Sequence, residues 1–224
     1  MRIDVFTLFP AWFEWFVEQR HVRNAVAGGS EVRFFDYRET TPLGAGQVDD
    51  APYGGGAGMV LRVDVVDAAL RAAYGDERPG RVVALSATGR SFDERLATEL
   101  AAEPSLALLC GRYEGFDERV QGHLATDVVS IGRYVLSGGE LAAMVVADAV
   151  LRKLPGVHGD EASAVEESFS EALGGAPEYP QYTRPATYHG WEVPDVLLSG
   201  DHERIREWRS ARSTERARAA DQGR

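Results

Sequence analysis

Apolar and polar residues follow two different periods along the first part of the chain. Arg2 to Leu8 and Glu31 to Tyr37 alternate at every second residue, which predicts two strands. Between them, Ala11 to Ala27 carries apolar residues at helical spacing, and Gly28-Gly29 ends that stretch. A strand, a helix and a second strand in succession predict a parallel sheet covered by helices.

The same two periods continue as far as residue 153. The predicted strands are Arg81–Ser86, Leu106–Cys110 and Asp127–Ile131, and the predicted helices are Val63–Tyr74, Phe92–Ala102, Phe116–Leu124 and Glu140–Lys153. Two segments interrupt the pattern and are predicted to be loops, Arg38–Met59 and the shorter Ala87–Gly89. A loop as long as the first is usually functional or mobile inside a compact domain.

The periodic pattern stops at Pro155-Gly156. Residues 158–178 are rich in Gly, Glu, Ser, Ala and Pro and show little periodicity, which predicts a flexible interdomain linker. An arginine-rich helix is predicted from Glu203 onward. The predicted organisation is therefore a first domain over 1–157, a linker over 158–178 and a small helical domain over 179–224.

Composition and charge limit the classes of protein that fit this pattern. A chain of 224 residues with 44% apolar and 26% charged residues is typical of a soluble globular protein. The formal net charge of −11 argues against a sequence-blind nucleic-acid binder, and no DNA partner is expected. RNA stays compatible with this charge, because arginines cluster between Arg204 and Arg224. A single cysteine, Cys110, and the lack of a bilayer-spanning segment lead us to expect a cytoplasmic protein with no membrane partner.

Two of the predicted strands run directly into turns that contain glycine. Gly111–Arg119 reads GRYEGFDER after one strand, and Ser130–Glu140 reads SIGRYVLSGGE at the end of the next. Glycine lets the backbone approach a ligand closely, and Gly138-Gly139 precede a predicted helix whose N–H groups favour an acceptor. Taken alone, each block is explained equally well as an ordinary strand-to-helix turn. Asp49–Met59 adds four glycines in five positions, which indicates either a close contact or a flexible linker.

Together these three blocks resemble the tRNA (guanine-N1)-methyltransferases that act next to the anticodon, a family of knotted SPOUT methyltransferases. The resemblance extends to Tyr182–Pro185, which reads YTRP, and to Val193–Arg209, which reads VPDVLLSGDHERIREWR. It implies an α/β fold with a knotted, mostly parallel sheet flanked by helices, followed by a small C-terminal helical domain. It also implies tRNA as the partner and a homodimer whose active site is shared between subunits.

The resemblance assigns S-adenosyl-L-methionine as the methyl donor, bound where the glycine turns meet. The cofactor-binding residues that it implies are Leu85, Ser86, Gly111, Tyr113, Glu114, Ile131, Gly132, Arg133, Tyr134, Val135, Leu136, Gly138 and Gly139. The family usually has Pro-Gln at Ala87-Thr88, so backbone contacts are expected to carry recognition there. No metal ligands are predicted, because the five histidines are scattered without ligand spacing. Members of the family depend on magnesium, so Mg²⁺ is a further expectation without an assigned site.

Methylation of guanine N1 needs a general base near N1 and a cation near O6, where negative charge accumulates. By resemblance these roles fall to Glu167 and Arg152. The family has Asp at position 167, and Glu166 is the nearest substitute for the base. Plainer explanations also exist, since Arg152 suits the C-terminus of a helix and the two glutamates suit a solvated acidic loop.

The function expected from the resemblance is methyl transfer to N1 of the guanosine that follows the anticodon, position 37 of tRNA. Arginines from Arg204 to Arg218, with Tyr182 and Arg184, are expected to contact the tRNA backbone. Two alternatives stay open at this stage. The chain could be another SPOUT RNA methyltransferase that acts on a ribose or a different base, or a non-catalytic RNA-binding protein that retains the cofactor pocket.

Overall fold

The structure, a computed structural model, describes residues 1–77, 79–157 and 167–222. It divides into two compact units, Met1–Gly159 and Asp160–Arg224. The domain bounds predicted from the sequence, 1–157, 158–178 and 179–224, remain predictions. Among the described residues, no helix combines the length and apolar character needed to cross a membrane.

The first unit is built on a parallel sheet of five strands in the order β2-β1-β6-β5-β7. These strands are β1 (Arg2–Thr7), β2 (Glu31–Asp36), β5 (Arg81–Ser91), β6 (Ser105–Cys110) and β7 (Asp127–Ser130). The buried strand β6 has apolar residues on both faces, as expected of a strand covered by helices on each side. The parallel α/β sheet expected from the sequence is confirmed.

Helices cover both faces of this sheet and form two apolar layers. The helices of this unit are α1 (Glu14–Val17), α2 (Arg20–Ala27), α3 (Tyr37–Thr40), α4 (Val63–Tyr74), α5 (Glu94–Ala101) and α6 (Glu140–Leu151). One layer joins Ile3 and Leu108 of the sheet to buried residues of α2, α5 and α6. The other joins Phe6 and Leu109 to α4, because neighbouring strand residues point to opposite faces.

The single helix predicted for Ala11–Ala27 is wrong. The segment forms a 3₁₀ turn at Pro10–Phe13, then α1 and α2, with extended backbone at Gln19 (φ −64°, ψ 140°) between the two helices. Apolar spacing cannot reveal this break, because Phe16 before it and Val22 after it are buried in the same layer. The periodic pattern therefore marked the buried residues correctly and missed the change in direction.

Strand β5 is longer than predicted. It continues from Arg81 through the predicted loop Ala87–Gly89 to Ser91, and β7 pairs with it on both sides of a register shift, so that Val129 is opposite both Leu85 and Arg90. A Cβ at Gly89 would lie 2.5 Å from the backbone N of Val129. The predicted loop is therefore an irregularity within the β5–β7 strand pair. Glycine is needed at position 89 because the two backbones meet there.

The long loop predicted for Arg38–Met59 is partly ordered into short elements. It begins within α3, contains a 3₁₀ turn at Gly44–Gly46 and ends in a small antiparallel pair of β3 (Asp49–Asp50) with β4 (Val60–Leu61). This pair closes the glycine-rich segment into a hairpin. The helix predicted at Phe116–Leu124 is a shorter π-helix, Val120–Leu124.

Among its described residues, the second unit contains a 3₁₀ turn at Glu171–Leu173, a hairpin and two α-helices. The hairpin joins β8 (Thr187–Tyr188) to β9 (Trp191–Glu192), and the helices are α7 (Asp195–Leu198) and α8 (His202–Gln222). Ser213 of α8 donates a hydrogen bond of 2.7 Å to the carbonyl of Pro177. Pro177, near the end of the predicted linker, therefore contacts α8, whereas residues 158–166 of the linker lie outside the described residues.

Candidate active site

The irregular part of β5 at Leu85–Thr88 and the turns that follow β6 and β7 line one cavity of about 490 Å³. Because the strands are parallel, their carboxyl ends meet at one edge of the sheet, where α/β proteins bind ligands. The turn after β6 and the turn after β7 are the GRYEG and SGGE blocks of the sequence. Cavity volume and position are those of a site for a small organic ligand or cofactor.

Every predicted cofactor-binding residue except Arg133 lines this cavity. The residues concerned are Leu85, Ser86, Gly111, Tyr113, Glu114, Ile131, Gly132, Tyr134, Val135, Leu136, Gly138 and Gly139. Arg112 and Ser137 line it as well, and both belong to the turns predicted to meet at the cofactor, although neither was named as a cofactor-binding residue. Ala87 and Thr88 also line it, so the substituted loop belongs to the site.

Backbone contacts hold the two blocks together. The N–H of Gly139 donates a hydrogen bond of 2.8 Å to the carbonyl of Gly111, and Gly138 pairs with Arg112 in an isolated bridge. A Cβ at Gly139 would lie 2.8 Å from Cα of Cys110 and 2.9 Å from N of Gly111. Glycine is required at 139 because two backbones touch there, since its own φ of −81° suits any residue.

The glycine-rich hairpin reaches the same site. The N–H of Glu114 donates to the carbonyl of Met59 at 2.9 Å, and Val60 forms a bridge with Tyr113. At Gly58 a Cβ would lie 2.3 Å from the Glu114 carboxylate, and the φ of +84° also favours glycine. The end of this segment is thus tied to the GRYEG turn, which favours the close contact over the flexible linker for that part.

Tyr113 stands in the strained part of this turn. Its φ of 61° lies in the left-handed region, which is uncommon for an aromatic residue and recurs at functional sites. Burial raises the pKa of the Tyr113 phenol, and the neighbouring carboxylate of Asp49 raises it further. The phenol therefore remains a neutral hydrogen-bond donor at physiological pH.

A buried charge behind the cavity was missed by the sequence analysis. Glu140, the first residue of α6, is 1% exposed and accepts a hydrogen bond of 2.9 Å from the hydroxyl of Thr7. Its other carboxylate oxygen lies 3.9 Å from Nη1 of Arg112. The guanidinium of Arg112 also lies over the ring of Phe9 at 4.8 Å. The sequence contained one signal of it, a charged residue at the start of a largely apolar helix.

Comparison with known proteins agrees with this geometry. The family described as "tRNA (Guanine-1)-methyltransferase TrmD" matches residues 1–222 of the chain. The chain belongs to the tRNA (guanine-N1)-methyltransferase family. The SPOUT fold, the S-adenosylmethionine-dependent enzyme class and the tRNA guanine-N1 methyltransferase activity expected from the sequence are thereby confirmed.

Relatives in this family match the chain over nearly its whole length. A tRNA (guanine-N(1)-)-methyltransferase of Geobacillus kaustophilus is 48% identical over 217 residues, covering 96% of this chain and 88% of the relative. The enzyme of Brevibacillus brevis is 48% identical over 224 residues, covering 98% of this chain and 89% of the relative. That of Halalkalibacterium halodurans is 48% identical over 218 residues, with 96% and 87% covered.

The two residues predicted to carry the methyltransferase chemistry lie in different units. Arg152 follows α6 in the first unit, and its N–H donates a hydrogen bond of 3.0 Å to the carbonyl of Asp148. Glu167 lies in the second unit, where its carbonyl accepts a hydrogen bond of 3.0 Å from the N–H of Ser170. Glu166, the alternative base, lies outside the described residues. The assignment of these roles stays a prediction.

The chemistry of the cavity lining fits the methyl donor of this family. Aliphatic side chains such as Leu85, Ile131 and Leu136 offer apolar contact for an adenine ring, and the backbone of the turns offers N–H and carbonyl groups. Glu114 provides a carboxylate to face a cationic group. Within the described parts of the chain, no group of three or more His, Cys, Asp or Glu could hold a metal ion.

Proposed function

We propose that the chain transfers a methyl group from S-adenosyl-L-methionine to N1 of the guanosine at position 37 of tRNA, next to the anticodon. Membership of the tRNA (guanine-N1)-methyltransferase family gives the reaction class. The observation that carries the proposal is the cavity formed at the carboxyl edge of the sheet by the Leu85–Thr88 part of β5 and the turns after β6 and β7. S-adenosyl-L-methionine supplies the electrophilic methyl group when it is bound there.

In this proposal the protein contributes alignment, proton removal and charge stabilisation. The Glu167 carboxylate takes the N1 proton of guanine, the N1 electron pair forms the new bond to carbon, and the carbon–sulfur pair returns to sulfur. Arg152 stabilises the negative charge that develops on O6. Alignment of donor and acceptor supplies roughly 7–11 kcal/mol at best. A general base supplies a further factor of about 10²–10⁴ in rate.

A homodimer forms part of the proposal. Helix α6 is apolar on both sides, since Ala143 and Val146 are buried whereas Leu141 and Val145 are 49% and 46% exposed. A helix that is hydrophobic all round is normally covered. A second copy of the chain seated on this face would cover it. We further propose that Arg152 of one subunit works with Glu167 of the other.

Helix α8 carries most of the surface that we propose for tRNA. The stretch from Arg204 to Arg218 contains six arginines and two glutamates, so it is locally basic in a chain of net charge −11. We expect these arginines, with Tyr182 and Arg184, to contact tRNA phosphates.

The proposal assigns the protein to the cytoplasm. It treats magnesium as an aid to charge stabilisation, without an assigned site.

Nucleoside mapping tests this function directly. Unmodified tRNA transcript is incubated with methyl-labelled S-adenosyl-L-methionine and the protein, digested to nucleosides, and compared with a transcript that carries adenosine at position 37. We expect 1-methylguanosine from the first transcript and none from the second. A ribose-methylated or different base product would favour another SPOUT methyltransferase. Cofactor binding without any product would favour the non-catalytic RNA-binding protein.

A further inference from the structure

A second cavity, of about 310 Å³, lies within the C-terminal unit. Three aromatic side chains line it, those of Tyr179, Tyr182 and Trp208, and the last two rings are 6.3 Å apart between centroids. Tyr182 is 48% exposed, so part of its ring is accessible to a ligand. This volume is near the lower end of the range for ligand pockets, roughly 300–1,000 Å³. The cavity therefore suits one small, flat group.

The charge of this cavity differs from that of the chain as a whole. Two arginines line it, Arg184 and Arg209, and no carboxylate side chain does so among the described residues, although the chain carries a net charge of −11. The guanidinium of Arg209 lies over the Tyr179 ring at 4.6 Å. Its Nε is buried and has no hydrogen-bond partner within the part of the chain that the structure describes. A buried donor at the wall of a cavity requires an acceptor, which a bound ligand can supply.

We propose that this cavity binds one unpaired nucleotide of the tRNA, an inference that rests on the tRNA methyltransferase function proposed above. Unpaired bases of RNA stack on aromatic side chains and on arginine planes. The base would stack on Tyr182, and its acceptor atoms or the adjoining phosphate would receive hydrogen bonds from Arg184 and Arg209. The cavity thus binds a nucleotide other than the methylated guanosine. This contact adds to the phosphate contacts expected of α8.

A protein–RNA double-mutant cycle tests the proposal with the full-length chain. Tyr182→Ala and Tyr182→Phe are compared with the unchanged protein on a set of tRNA transcripts, each with one abasic nucleotide at an unpaired position. Tyr182→Ala should weaken tRNA binding about ten- to a hundredfold, the loss typical of one stacked base. Tyr182→Phe should bind normally, because it keeps the ring. One abasic transcript should bind the unchanged protein more weakly, by the same factor. For that transcript, Tyr182→Ala should cause no further loss of affinity.

Two further variants separate base binding from the integrity of the unit. Tyr188→Ala removes an exposed ring of the β8–β9 hairpin that does not line the cavity, and it should bind every transcript normally. Leu198→Trp adds volume at a cavity residue that is 60% exposed, so it should reduce tRNA binding without lowering the melting temperature. Normal tRNA affinity in both Tyr182→Ala and Leu198→Trp would overturn the proposal. The proposal would also be overturned if, on every abasic transcript, Tyr182→Ala still caused its full loss of tRNA affinity in addition to the loss caused by the missing base.

The cycle also keeps this proposal distinct from the methylation itself. Tyr182→Ala should retain the S-adenosyl-L-methionine affinity of the unchanged protein, because Tyr182 lies outside the first cavity. At saturating tRNA it should still yield 1-methylguanosine. Failure of the unchanged protein to form 1-methylguanosine would refute the proposed function, whereas the binding cycle would still decide the nucleotide site.

Discussion

The guanidinium of Arg112 and the carboxylate of Glu140 face each other across 3.9 Å behind the first cavity. Glu140 is 1% exposed, so its charge is removed from water, and the separation exceeds a hydrogen-bond length. Arg112 lines the cavity and pairs with Gly138 through the backbone. The pair therefore links the start of α6 to both turns that surround the proposed cofactor.

Replacement of Glu140 by glutamine should loosen the cofactor site. The variant keeps an acceptor for Thr7 but removes the charge opposite Arg112, so we expect a loss of about 1–3 kcal/mol in unfolding free energy. We also expect S-adenosyl-L-methionine to bind about tenfold more weakly, since 1.4 kcal/mol corresponds to a factor of ten. Urea unfolding and calorimetric titration measure the two effects. Thr7→Val is the control for the hydrogen bond, and equal cofactor affinity in Glu140→Gln and the unchanged protein would contradict the positioning role.

A methyl group at position 139 should separate the two turns that border the proposed cofactor site. Because a Cβ there would lie 2.8 Å from Cα of Cys110, the backbone must shift, and Gly139→Ala should lose about 1–3 kcal/mol of stability. Cofactor affinity should fall by more than tenfold in the same titration. Gly122→Ala is the matched control, because nothing lies within 4 Å of its added Cβ. Tight cofactor binding by Gly139→Ala would show that the close approach does not shape the site.

The proposed base can be tested by changes that keep its size. Glu167→Gln should lower the rate of methyl transfer at least about 100-fold, the lower end of general-base contributions. Binding of cofactor and of tRNA should stay nearly unchanged, since only the proton acceptor is lost. Glu167→Asp restores the residue usual in the family and should be active, and Glu166→Gln is the control and should have a mild effect. An active Glu167→Gln beside an inactive Glu166→Gln would move the base to Glu166.

Mixing two inactive variants tests whether subunits share the site. If Arg152 of one subunit works with Glu167 of the other, a dimer of one Arg152→Ala chain and one Glu167→Ala chain has one intact site. Random exchange of equal amounts should then restore about a quarter of the activity, because half of the dimers are mixed and each has one working site of two. Single-turnover assays before and after exchange measure this recovery. Confirmed heterodimers without activity would argue for sites within one chain.

Asp127, the first residue of β7, should make the folding stability of the protein depend on pH. Arg81 donates to both oxygens of this carboxylate, at 2.7 and 2.8 Å. Burial raises the pKa of Asp127, but hydrogen bonds from Arg81 and Thr126 outweigh it and leave the pKa below its usual value. The stabilisation is therefore present above the unfolded pKa near 4 and is lost as the pH falls through the lower folded pKa.

Asp127→Asn removes that charge and its pH dependence. The difference in unfolding free energy between Asp127→Asn and the unchanged protein should be large at pH 7 and should shrink below about pH 4. Urea unfolding across that range measures it. Asp76→Asn, at an exposed residue after α4, is the control and should change stability little at either pH. A difference that stays constant with pH would show that Arg81 does not act through the charge of Asp127.

Elements with local signals could be predicted from the amino-acid sequence alone. Helix α4 was predicted with its bounds because Val63–Tyr74 has helical apolar spacing and Gly75 ends it with a φ of +65°. The glycine turns after β6 and β7 were found for a similar reason, since glycine marks places where a backbone must come close. The family resemblance carried by these turns implied the cofactor residues, and all of those residues except Arg133 line one cavity.

Contacts between residues far apart in the chain could be found only in the folded protein. Thr7 and Glu140 are 133 positions apart, and their hydrogen bond depends on β1 lying beside the start of α6. The break at Gln19 and the excursion at Ala87–Gly89 likewise follow from long-range packing, because the apolar pattern is the same with or without them. Local periodicity shows that a residue is buried, but its partner is chosen by the order of strands in the sheet.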